Sequence, residues 1–180
     1  MWRDELQAWL IARDSNGILE IFKNLKYEGH PGLWHVILYF LNKISESPEI
    51  MQVAHTIIAS FSIFILLFFS PFTFLQKILL TFSYFLFFEY NFIARNYAIG
   101  VLLIFVVCLL FKNRQRNCIF LSIVLFLLSH SSIFGLIFVF SFSLAIFLEE
   151  ILIFKTSGTR IKISLKIIIS LLIVIFGITT

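Results

Sequence analysis

Apolar positions recur every three to four residues over the first fifty amino acids, then merge into long unbroken runs. Trp2, Leu6, Trp9 and Leu10 keep helical spacing, with Asp4, Gln7 and Arg13 elsewhere on the wheel, which predicts a short amphipathic helix. Asp14-Ser15-Asn16-Gly17 breaks it and offers N-caps for the next helix. Ile18, Leu19, Phe22 and Leu25 predict a second apolar stripe, with Gly29 placed as its C-cap and Pro31 just beyond. The run from Gly32 to Ile44 is apolar but 13 residues long, where a membrane span needs about 20. It is expected to lie along a membrane interface, with Trp34 and Tyr39 at headgroup level. Ser45-Glu46-Ser47-Pro48-Glu49 is a polar break.

Six apolar segments follow as candidate spans: Ile50 to Ser70, Ile78 to Phe92, Asn96 to Phe111, Cys118 to Ser129, Ile133 to Leu148 and Ile163 to Thr180. The pattern predicts an all-α, polytopic membrane protein. Residues 1–49 form a segment of short interfacial helices, and residues 50–180 a transmembrane bundle of about six. Several spans are short and must use flanking residues or a thin bilayer.

Composition agrees. Hydrophobic residues make up 60% of the 180-residue chain, charged residues only 13%, and mean hydropathy is +1.00. A soluble domain carries roughly a quarter charged residues. The first fifty residues hold seven of the ten acids; residues 51–180 hold three acids and nine of the fourteen Lys and Arg. Those bases lie between apolar runs, which suits topology determinants and argues against a nucleic-acid partner. If Ile50–Ser70 runs outside to inside, the inner loops carry Lys77, Lys112, Arg114, Arg116, Lys155, Arg160, Lys162 and Lys166, and the outer ones only Arg95. Positive-inside bias then places residues 1–49 on the extracytoplasmic side of a plasma or inner membrane. Nothing ahead of Met1 would carry that charged head across, so a preceding membrane helix is expected. Cys108 and Cys118 form no CxxC pair and are expected to pack as small apolar side chains.

Candidate chemistry lies where charge interrupts this pattern. Asp4-Glu5 suits a general base or a metal ligand, or simply acids favoured by a helix N-terminus. Gly29 and Pro31 pin His30 on a tight turn, as a phosphate ligand, a proton shuttle or a solvent-facing cap residue; His35 nearby is expected to point elsewhere. Glu89 and Arg95 break apolar sequence near the expected outer surface, too far apart in phase to pair on one helix face. Arg95 is either a bidentate phosphate clamp or a loop arginine. The same topology puts His130 at the outer face, so Asp4, His30, Arg95 and His130 share one side. That combination suits a lipid-phosphate substrate.

Arg3-Asp4-Glu5 with Ala8-Trp9, Tyr27-Glu28-Gly29-His30-Pro31-Gly32-Leu33-Trp34 and Arg95-Asn96-Tyr97 resemble motifs of the GT-C superfamily of polytopic glycosyltransferases. Protein mannosyltransferases and the lipid A aminoarabinose transferase are the nearest comparison. The resemblance covers roughly Met1 to Phe111. It implies transfer of a sugar from a polyprenyl-phosphate donor to an extracytoplasmic acceptor, usually with inversion. Asp4 would match the general base, and Glu5 a second acid orienting the acceptor or a divalent metal. His30, Arg95, Tyr97 and His130 would bind the phosphate side. The resemblance also implies that this chain begins inside the first outer loop and is a fragment at both ends. A non-catalytic membrane protein, as remnant or assembly partner, is the alternative. A transporter subunit fits less well, because the charges cluster near span ends rather than at mid-span.

A cysteine placed in the first fifty residues should react with an impermeant maleimide added to the extracytoplasmic side of sealed vesicles. Labelling only after permeabilisation reverses the orientation.

Overall fold

The computed structural model describes residues 3–27 and 31–157, the side chains of 27, 150 and 153–157 excepted. His30, the side chain of Lys155, Arg160, Lys162, Lys166 and the expected span Ile163–Thr180 lie outside the described residues. Among those described, every regular element is helical.

The head is three helices, as the spacing predicts: α1 Arg3–Asp14, α2 Ile18–Asn24 with a 3-10 turn Leu25–Tyr27, and α3 Leu33–Ile44. The corner between α1 and α2 is tied from within. The Ser15 hydroxyl donates to the Ile11 carbonyl at 2.7 Å and accepts from Asn24 Nδ2 at 3.1 Å. The Asn16 amide donates to the Glu20 carboxylate at 2.7 Å. No side chain of Asp14–Asn16 caps α2; Gly17 starts it. Its buried face is Ile21 and Leu25, while Leu19 is 80% exposed, so only part of the expected stripe turns inward. Phe22 lies on Gly32, where a Cβ would meet its ring at 2.6 Å, so a side chain there would displace the ring.

The body follows as α4 Glu49–Phe69, α5 Phe74–Thr81, a π-helical turn Tyr84–Glu89, α6 Tyr90–Phe92, α7 Tyr97–Phe111, α8 Cys118–Ser129 and α9 Ile133–Ser157. The expected span Ile78–Phe92 is therefore broken. A capping box at Thr73 and Gln76 starts α5, and the Ser83 hydroxyl donates to the Leu80 carbonyl at 2.7 Å while accepting from the Leu86 amide. One hydroxyl thus ends one helix and restarts the next. In contrast α9 runs on past Leu148, because Glu149 is held by Arg114 at 2.5 Å. Among the described residues one helix, Glu49–Phe69, is long and apolar enough to cross a membrane; at 1.5 Å per residue its length is roughly 31 Å. Leu33–Ile44, Tyr97–Phe111, Cys118–Ser129 and Ile133–Glu149 are apolar but shorter.

Helix α4 packs along α7, α7 on α8, and α8 on α9, while α1 lies on α3. Met51, His55, Ala59, Ser62 and Leu66 form the inward stripe of α4. Val53, Ile57, Phe61, Phe64 and Phe68 form an exposed apolar one. Two cores result. The first joins head to body: Trp9, Ala12, Trp34 and Leu38 pack with Met51, Ala94 and Ile99. Trp34 is thus 2% exposed, in a core shared by head and body. The second core is Val107, Leu121, Val124, Leu125, Leu128 and Val139. Cys108 is exposed on α7 and Cys118 intermediate, so neither thiol is packed in these cores. Lys23 is exposed, so the cysteine of the sidedness experiment belongs there.

Close approach of α8 and α9 depends on Gly135. A Cβ there would meet the Leu128 carbonyl oxygen at 2.3 Å and Ser131 Oγ at 2.7 Å. The backbone cannot yield cheaply, so Gly135→Ala should destabilise the bundle by about 1–3 kcal/mol. Thermal unfolding in detergent checks this; an unchanged midpoint would contradict the packing.

Candidate functional site

The site forms because the chain leaves helical geometry between α6 and α7. Ile93 is extended, with φ −97° and ψ 112°, and the Arg95 amide turns back to the Ile93 carbonyl at 2.8 Å. The Ala94 amide consequently has no helical acceptor and points at α1. Glu5 supplies the partner: its carboxylate accepts from Ala94 N–H at 2.6 Å, between residues 89 apart in sequence. Glu5 is 1% exposed and Ala94 2%. One residue along each strand of this contact, the Arg95 guanidinium pairs with the Asp4 carboxylate. This second contact is open to solvent, the side chains being 31% and 61% exposed. Two consecutive acids on α1 therefore hold two consecutive residues of the 93–96 turn, one pair buried and one accessible.

A third element closes the arrangement. In the turn before α9, the His130 carbonyl accepts from Leu33 N–H at 3.1 Å, and the Ser131 carbonyl accepts from Asn96 Nδ2 at 2.9 Å. The first amide of α3 and the first turn of α7 are thus tied to the same short loop. Unsatisfied helix N-termini need such acceptors when buried.

These contacts enclose a cavity of about 240 Å³. Asp4, Gln7, Ala8 and Ile11 line it from α1, Trp34 and His35 from α3, and Ala94 to Tyr97 from the turn. Tyr97 is held by ring contacts with Tyr90 at 6.1 Å and Phe134 at 6.4 Å. Trp34 Nε1 and Arg95 Nε make no hydrogen bond to any described residue. The lining therefore offers donors from Arg95, Trp34, Gln7 and Tyr97 and one carboxylate, Asp4, a set suited to an anion beside a base. The volume is below the roughly 300–1,000 Å³ of whole-ligand pockets.

Of the residues expected at a site, Asp4, Arg95 and Tyr97 come together around this cavity. Glu5 lies behind it, on Ala94. His130 is drawn to the rim by its backbone. Its Nδ1 lies 3.0 Å from Ser129 Oγ and 2.9 Å from the Phe126 carbonyl, and its ring is outside the lining. Glu89 takes a hydrogen bond from the Tyr84 hydroxyl at 3.4 Å and does not meet Arg95. His35, expected to point elsewhere, lines the cavity, because α3 turns that face onto α1. Gln7, Trp34 and Asn96 were not legible as site residues; a Trp flanked by apolar residues reads as core or interface. Away from the cavity, hydrogen bonding to Arg13 holds the Asp14 carboxyl below the usual carboxylate range.

The described residues do not fit a bound divalent cation. No group of three His, Cys, Asp or Glu forms among them. Asp4 already faces a guanidinium, and Glu5 accepts a backbone amide. No chemistry below is routed through a metal.

Comparison of the chain with protein-family models, with curated proteins and with solved structures finds no match.

Glu5→Ala would leave the buried Ala94 N–H without an acceptor, a loss of about 1–3 kcal/mol. Limited proteolysis should then cut the 14–17 corner or the 45–48 link faster than in the unsubstituted chain. Equal cutting rates would mean that this contact does not hold the head.

Proposed function

We propose that the cavity handles the phosphate of a polyprenyl-phosphate sugar donor, and that the chain transfers the sugar to an acceptor hydroxyl on the extracytoplasmic face. The observation that carries this reading is the accessible Asp4–Arg95 pair at a cavity of about 240 Å³ where Trp34 Nε1 and Arg95 Nε make no hydrogen bond to any described residue. Exposed ion pairs contribute only about 0–1 kcal/mol. Arg95 can therefore exchange Asp4 for a phosphate at little loss, and that exchange frees Asp4 to accept a proton.

The chemistry follows from this exchange. The acceptor oxygen attacks the anomeric carbon, its proton passes to the Asp4 carboxylate, and the bond from carbon to phosphate oxygen breaks with its electron pair leaving on the phosphate. Arg95, the Trp34 indole N–H and Tyr97 stabilise the charge that develops there. The tail lies outside the cavity, along apolar surface in contact with lipid. We place α4, α7, α8 and α9 in the bilayer as a multi-pass bundle. Support for that placement comes from the exposed apolar stripe of α4 and from Phe134, Ile137 and Phe140 on α9, at 70%, 56% and 59% exposure, since large apolar patches facing water are unfavourable. A non-catalytic membrane protein is the second reading. It is favoured by the observation that Asp4 and Glu5 of α1 are both engaged in holding the head to the body.

The test is sugar transfer from a lipid-phosphate donor by the chain reconstituted in vesicles. Asp4→Asn should lower the rate at least ~100-fold, the scale of general-base catalysis, and Arg95→Lys should weaken donor binding while leaving measurable turnover. Equal rates for Asp4→Asn and the unsubstituted chain would remove Asp4 as the base. Lipid-phosphate binding that needs Arg95, without transfer, would establish the non-catalytic reading.

A further inference from the structure

The loop between α7 and α8 takes no part in the reading above. It lies at the far end of α7 from the cavity, because Tyr97 starts that helix and Phe111 ends it. Lys112, Arg114 and Arg116 alternate along it, and the fold uses them differently. Arg114 is engaged. Its guanidinium meets the Glu149 carboxylate of α9 at 2.5 Å and lies over the Phe111 ring, 4.6 Å from the centroid. Lys112 and Arg116 are exposed and form no ion pair with any described residue. The backbone that carries them is folded into closed turns. Arg116 N–H and Asn117 N–H both donate to the Asn113 carbonyl, at 3.1 and 3.0 Å, and Arg114 N–H donates to the Phe111 carbonyl at 3.2 Å.

An apolar surface begins beside these cations. Arg116, Asn117 and Cys118 share an open groove of about 280 Å³ with Ile119, Phe120 and Ile123 of α8. The three apolar side chains are 39%, 56% and 42% exposed. Ile123 lies four residues after Ile119 and three after Phe120, so all three share one face of α8, with Arg116 at its loop end. A soluble anion on Arg116 would leave that face uncovered. A neutral lipid would cover the face and leave two cations without counter-charge. An anionic head joined to an apolar body satisfies both.

We propose that this loop and the exposed face of α8 bind an anionic phospholipid, its phosphate at Arg116 and Lys112 and its acyl chains along Ile119, Phe120 and Ile123. The proposal rests on the placement of α7 and α8 in the bilayer given above, and not on sugar transfer. A base beside a membrane surface favours anionic lipid by roughly five-fold, and Arg114, held by Glu149, is not counted.

The experiment reads which lipid touches α8. The full chain is reconstituted in phosphatidylcholine vesicles holding a trace of phosphatidylglycerol or of phosphatidylcholine that carries a diazirine on one acyl chain. After illumination the cross-links are mapped by mass spectrometry. The phosphatidylglycerol probe should label Ile119–Ile123 at least about five-fold more than the phosphatidylcholine probe. The exposed stripe of α4, at Val53, Ile57 and Phe61, should be labelled equally by both. Lys112→Gln with Arg116→Gln should remove the preference at α8 and leave α4 labelling unchanged, whereas Lys112→Arg with Arg116→Lys should keep it. Equal labelling of α8 by the two probes, with α4 labelled, would overturn the proposal and leave the bilayer placement standing. A preference that survives the double Gln substitution, or that an equal amount of inorganic phosphate removes, would overturn it as well. No labelling of either helix by either probe would remove the bilayer placement and this proposal with it.

Discussion

The structure depends on a buried carboxylate and a backbone amide that donates to it from the other end of the chain. Glu5 is 1% exposed, and a charge taken out of water is strongly unfavourable unless a donor meets it. Ala94 N–H is such a donor, available only because the chain leaves helical geometry at Ile93. The two features need each other. Without the turn the acid would have no amide, and without the acid the turn would bury an unpaired N–H. Because Asp4 and Arg95 are the adjacent residues on either side, fixing the buried contact also fixes the accessible one.

The surrounding core makes this contact rigid. Trp9 and Trp34 bring two large side chains from the head against Met51, Ala94 and Ile99 of the body. The residues 1–49 and 50–180 are distinct in composition, yet they share one hydrophobic cluster. The loop before α9 adds two backbone acceptors, to Leu33 and to the Asn96 side chain. Head, turn and bundle therefore converge at one end of the molecule, and the cavity is the space left among them. Its contents follow from that convergence: one carboxylate, one guanidinium and the Trp34 indole N–H.

Helix positions were legible because apolar spacing records them directly. α1, α3, α4, α7 and α8 fall within a residue or two of the expected segments. Ser83 was not legible as a break, since a lone serine in an apolar run normally only bonds back to its own helix; here it also caps the turn that follows. The burial of Trp34 was not legible, because an amphipathic aromatic suits a core and a membrane interface equally well in sequence. Asp4 and Arg95 could each be singled out as charges among apolar residues. Their pairing could not, because 91 residues separate them and nothing local records the contact.

The central claim is that the Glu5 carboxylate buries and holds the Ala94 amide. Hydrogen exchange of the full chain, followed at residues 93–96, measures this directly. The account predicts that Ala94 N–H exchanges as slowly as the amides of α7, although it belongs to no helix, and that Glu5→Gln speeds its exchange without altering α8. Exchange of Ala94 at the rate of an exposed loop amide in the unsubstituted chain would contradict it.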